Sequence, residues 1–108
     1  GTSDIGPWFT DMYLGRGAID DQDTMWRASS VSGFKTISTP TLILHSENDF
    51  RCPIEQAEQL FTALLRNGTE TELLRFPGPE SHELSRSGKP KHRVERFEAI
   101  LEWHGRHL

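Results

Sequence analysis

The stretch TLILHSENDFRCP, Thr41 to Pro53, decides how this chain is read. TLILH is a short, continuous apolar run without polar alternation, the pattern of a parallel strand covered on both faces. It runs into Glu47, Asn48 and Asp49, residue types that form turns. Pro53 then offers a helix start, because its fixed φ suits the first helical position. On the other side Pro40 biases Thr39 towards extended geometry, so the strand signal strengthens from Thr41.

Downstream, Ala57, Leu60, Phe61, Leu64 and Leu65 recur at i, i+3, i+4, i+7 and i+8, one apolar stripe of a helix. Asn67-Gly68 ends it, since glycine tolerates the left-handed conformation that closes many helices. TELLRF, Thr71 to Phe76, is the next strand. Strand, helix and strand at this spacing form a βαβ unit, for which a right-handed crossover is expected. PGPESHELSRSGKP, rich in Pro, Gly and turn formers, reads as a long surface loop. After Pro90 a last helix is expected to run to about His107. Its inward face should include Val94, Phe97, Ile100 and Leu101, with Trp103 or His104 at the edge.

The first third is less periodic. A short helix is expected near Trp8 to Leu14 and a helical turn from Asp23 to Ala28, followed by the connector SSVSGFKTISTP. The division is therefore 1–35, connecting loops and short helices, and 36–108, a βαβα unit of an α/β three-layer fold.

A length of 108 residues suffices for one small domain. The formal charge of −4 gives no electrostatic reason for a nucleic-acid partner. Acids gather early (Asp4, Asp11, Asp20, Asp21, Asp23) and bases late (Arg86, Lys89, Lys91, Arg93, Arg96), which reads as two solvated faces. The single cysteine, Cys52, excludes an intrachain disulfide and a cysteine-based metal cluster. It fits a reducing compartment, so a cytoplasmic location is expected. No apolar run approaches the roughly 18 residues of a membrane helix, and no signal peptide opens the chain. The opening GTSDIG looks like a loop entered from something upstream, so a piece of a longer protein is expected.

Chemistry is expected beyond the carboxyl ends of the strands, where ligands sit in open α/β sheets. Asp49 follows the first strand and His82 the second, so adjacent parallel strands would bring their loops together. A buried carboxylate can hold one imidazole nitrogen and leave the other free to take a proton from a nucleophile. Acid before histidine is also the chain order of the α/β-hydrolase triad, Ser then Asp then His. Taken singly, each residue has a plainer reading: Asp49 as a turn-former or cap, His82 as a solvated loop histidine. Glu47 and Asn48 read as turn and support residues, Arg51 as the partner of an acid near the turn, and Cys52 as a small packed thiol. His45 reads as a hydrogen-bonded structural histidine. His92, His104 and His107 lack metal-site spacing and read as exposed or edge residues.

Three blocks, TPTLILHSENDFRCPIEQAEQLFTAL, ETELLRFPG and SHELSRSGKPKHRVERFEAILEW, resemble the end of a serine peptidase of the prolyl oligopeptidase (S9) family. Its acylaminoacyl-peptidase and dipeptidyl-peptidase-like members are the most similar. The resemblance is close over roughly residues 36 to 104, and GTSDIGPWF resembles the segment after the nucleophile region. It implies a partial α/β-hydrolase fold, the C-terminal βαβα portion of the sheet, with Asp49 as triad acid and His82 as triad base. It implies short or N-acylated peptides as substrates and no metal or organic cofactor. The family's Gly-x-Ser-x-Gly elbow is absent, because no serine here has glycines at both flanking positions. The nucleophile is therefore expected on an upstream part of the same enzyme, and the chain alone is expected to be inactive. Ser46 stands where relatives have Gly, and PGPESH carries one residue more than the usual approach to the histidine, which would displace the His82 loop. Two other readings stay open: an esterase-type hydrolase and a non-catalytic interaction module. With two strands and an open edge, a homo-oligomer or an element swap is also expected.

Overall fold

The apolar runs form the two strands that the sequence leads one to expect. In the computed structural model, which describes residues 3–108, β1 (Thr41–Ser46) and β2 (Thr71–Phe76) pair in parallel. Register runs from Thr41 opposite Thr71 to Ser46 opposite Phe76. The connection is an α-helix, Ile54–Arg66. Three short helices come before it or follow β2: α1 (Gly6–Leu14), α2 (Gln22–Ala28) and α4 (Leu84–Ser87), so the crossover helix is α3. The last element is α5, Pro90–His107. The connector after α2 contains a 3-10 helix, Ser30–Thr36. Helix α3 covers one face of the two-stranded sheet and α5 the other, which gives the three layers. No helix among the described residues is long and apolar enough to cross a membrane.

Local chemistry explains the boundaries. Pro53 is the residue before the first helical position rather than that position itself, and its carbonyl accepts the Gln56 N–H at 2.9 Å. The far end of α3 closes through Gly68, at φ 77°. There the Thr69 N–H donates to Leu64 O and the Gly68 N–H to Leu65 O, both at 3.0 Å, the double bond of a Schellman cap. Asn67 and Thr69 also donate to the Ile37 carbonyl, at 3.0 and 2.7 Å, so the same cap anchors the segment that feeds β1. Of the α3 stripe, Ala57 and Leu64 are buried, whereas Leu65 is half exposed.

Helix α5 corrects the expected inward face. Ile100 lines a cavity with Leu42, Leu44 and Trp103, but Val94, Phe97 and Leu101 are 55, 55 and 72% exposed. The helix carries two apolar stripes, and its largest side chain decides between them. Trp103 is 5% exposed rather than at the edge, and His92 and His107 share its face at helical spacing. His107 is no free edge residue. Its Nδ1 donates to Trp103 O at 2.8 Å and its Nε2 to Glu70 Oε1 at 3.0 Å. Both nitrogens can donate at once only in the imidazolium. The backbone bond to Trp103, followed by the bond to Glu70, holds this histidine above its usual pKa.

The core is small for the chain. A monomeric domain of 12.3 kDa is expected to expose about 6,100 Å², and this chain exposes 7481 Å². Its radius of gyration is 15.5 Å, against about 13 Å for a compact domain of this length.

Candidate active site

Beyond Ser46 the ladder makes one more step, the Glu47 N–H donating to Phe76 O at 3.0 Å, before the chain turns. The turn buries Asp49, at 7% exposure. Its Oδ1 accepts the backbone N–H groups of Arg51 (3.0 Å) and Cys52 (2.8 Å). An aspartate folding back onto its own turn in this way is ordinary Asx chemistry. What that geometry leaves over is Oδ2, and Oδ2 meets His82.

His82 Nδ1 lies 3.0 Å from Asp49 Oδ2, although 33 residues separate them in the chain. Imidazole is the only donor of the two, so Nδ1–H donates and Nε2 is left as the lone-pair nitrogen. The imidazole is half exposed, and Nε2 makes no hydrogen bond to another described residue. The extra residue in PGPESH therefore does not separate the two groups. The loops are tied directly: the Asn48 N–H donates to Glu80 O at 3.1 Å, and its side-chain amide donates to Gly78 O.

A second imidazole lies near. His45 Nε2 is 3.9 Å from Asp49 Oδ2 but 2.6 Å from Cys52 O, so its proton goes to the carbonyl and it serves the turn. Glu47 pairs with Arg75 of β2 at 3.2 Å, and Arg75 with Glu58 of α3 at 2.6 Å. Arg51 finds its acid far away in sequence. It meets Asp4 at 2.6 Å, and the Asp4 N–H also donates to Phe50 O, which clips the first segment to the turn. The Arg51 bond holds the Asp4 carboxyl below its usual range. Burial pushes the Cys52 thiol up, and the nearby Asp49 charge adds to this, so Cys52 stays a thiol. Among the described residues no three His, Cys, Asp or Glu side chains converge as metal ligands.

Glu80 had no functional reading in the sequence, and His92, expected at an exposed or edge position, is instead largely covered, its side chain 17% exposed. Glu80 lies in a stretch expected to be surface loop but is 2% exposed. Its Oε1 accepts His92 Nδ1–H at 2.6 Å and the Lys89 N–H at 3.1 Å. An acid after Pro77-Gly78-Pro79 carries no sequence sign of burial; the partner that makes burial possible lies twelve residues on, in another element.

The model of the prolyl oligopeptidase family matches residues 1–108. The chain belongs to the prolyl oligopeptidase family. Its fold is a partial α/β-hydrolase fold, and the blocks around Asp49 and His82 are part of the matched span. Within this family it is 49% identical over its full length to uncharacterized peptidase YuxL of Bacillus subtilis, covering 16% of that protein. It is 32% identical over 117 aligned residues to acylamino-acid-releasing enzyme 1 of Oryza sativa subsp. japonica, covering 15% of it. The acylaminoacyl peptidase of Pyrococcus horikoshii superposes with a TM-score of 0.89 at 29% identity, over 99% of this chain and 17% of that one. An acylaminoacyl peptidase in complex with Z-Gly-Gly-Phe-chloromethyl ketone gives the same score. The chain thus spans about a sixth of the length of these relatives.

Proposed function

We propose that the protein to which this chain belongs is a serine peptidase cleaving short or N-acylated peptides, with Asp49 and His82 as two members of its triad. The observation that carries this is the division of labour at Asp49. One carboxylate oxygen is fixed by the backbone of its own turn and the other is aimed at His82 Nδ1.

In this reading the nucleophile is a serine on another part of the enzyme. Its hydroxyl proton passes to His82 Nε2 as its oxygen attacks the peptide carbonyl. Asp49 holds the tautomer that leaves Nε2 free to accept, and stabilises the imidazolium that forms. Nε2 then gives the proton to the departing amine. Water, deprotonated by the same nitrogen, hydrolyses the acyl-enzyme. No metal or organic cofactor takes part. The partner of this chain is the serine-bearing remainder of the enzyme, and a reducing, cytoplasmic setting suits the single thiol. N-acylated peptides are the preferred substrate class because two relatives are named for acylated amino acids.

The test is a comparison of kcat/KM on the intact enzyme. N-acetyl-peptide nitroanilides are expected to be cleaved, with the free-amine and internally placed peptides slower. Turnover of simple nitrophenyl esters without any peptide cleavage would establish the esterase reading instead.

A further inference from the structure

We propose that Glu80 and His92 are positioning residues for His82, a couple that fixes the loop on which the histidine stands; this rests on the triad reading above. The couple joins three parts of the chain at one residue. Glu80 lies two residues before His82, and its main-chain oxygen accepts the N–H of Asn48, the residue before Asp49. Its side chain accepts from Lys89, at the end of the loop, and from His92, on α5. The loop is thereby held at its start, its end and its contact with the acid's turn.

Its packing allows little alternative. The His92 ring lies 5.7 Å from that of Phe76, which is 2% exposed and closes β2. Gly88 passes so close that an added Cβ would stand 2.5 Å from Glu80 Oε2 and 2.5 Å from Leu84 O. A surface loop has no need to bury a carboxylate, and removing one from water is costly unless it is well bonded. Burial by itself pushes the Glu80 carboxyl up. The His92 bond, the Lys89 N–H and the charges of His92 and Lys89 outweigh it and leave the group below its usual range. The ionised form is thus the one the loop is built around. Because His82 follows by two residues, any rotation of Glu80 out of its site is transmitted to the Nδ1 that faces Asp49. A misplacement of about 1 Å at reacting groups can cost on the order of 100-fold in rate.

The experiment uses the intact enzyme and the variants His92→Ala, His92→Asn and His82→Ala. The asparagine amide can donate from close to the position of Nδ1; alanine cannot. Steady-state kinetics on an N-acetyl-peptide nitroanilide are combined with hydrogen exchange over residues 77–89. In His92→Ala, kcat is expected to fall roughly 10- to 100-fold with KM unchanged, and exchange in the loop to quicken. His92→Asn is expected to recover most of both. Wild-type kcat in His92→Ala, with His82→Ala inactive, would overturn the positioning role while leaving the triad reading intact. Equal losses in His92→Ala and His92→Asn would also overturn it, because the donor would then not matter. Activity surviving in His82→Ala would sink the triad reading and the positioning role together.

Discussion

Replacing Asp49 by Asn in the intact enzyme is expected to lower kcat by about four orders of magnitude, with little change in fold. The variant keeps an oxygen for the N–H groups of Arg51 and Cys52, which hold the turn at 3.0 and 2.8 Å. What it puts opposite His82 is an NH₂ group in place of Oδ2. Only a lone-pair nitrogen can face a donor, so the ring proton moves to Nε2 and the nitrogen meant to accept the serine proton is lost. His82→Ala is expected to match this loss. His45→Gln separates the two neighbouring imidazoles. Glutamine can still donate to Cys52 O, so a few-fold effect at most is expected if His45 serves only the turn. Steady-state kinetics, with circular dichroism to verify folding, check all three. A comparable collapse in His45→Gln and a mild effect of Asp49→Asn would reverse the assignment.

The second large effect concerns the 108-residue chain by itself, which is expected not to persist as a monomer. It exposes 7481 Å², about 1,400 Å² more than a compact domain of its mass. That excess is larger than the roughly 800 Å² that each partner buries in a standard protein interface. Part of it is apolar, including the outer stripe of α5 formed by Val94, Phe97 and Leu101, and Trp8 and Tyr13 on α1. Strand β1 pairs with β2 on one edge, and its other edge has no partner among the described residues. Open edges of this kind recruit another strand. Self-association or exchange of elements between copies is the outcome expected in analytical ultracentrifugation, and addition of the rest of the enzyme is expected to capture the chain. A single monomeric species at high micromolar concentration would show that the exposed edge and stripe are harmless.

The elements governed by local chemistry were legible in the sequence. TLILH and TELLRF had strand signals strong enough to survive, and Asn67-Gly68 marked a cap whose bonds the structure contains. The meeting of Asp49 and His82 was legible from topology, because parallel neighbours bring their following loops together. The rotation of α5 was not. Val94, Phe97 and Leu101 form as good a stripe as Ala99, Ile100 and Trp103, and the choice falls to Trp103 packing and to the bonds of His92 and His107. These are tertiary facts, which periodicity does not contain. Glu80 was hidden for the same reason. Its burial depends on a histidine in another element and on the missing side chain of Gly88, neither of which marks the loop as ordered. Residues that act through one another across elements leave the weakest trace in a single sequence.

The central claim is that Asp49 and His82 serve a serine located outside this chain. Its most direct test is to treat the intact enzyme with a fluorophosphonate probe, digest it and map the adduct, in wild type and in His82→Ala. One modified serine is expected, outside these 108 residues, with modification slowed by orders of magnitude when His82 is lost. An adduct on a serine of this chain, or an undiminished rate in His82→Ala, would contradict it.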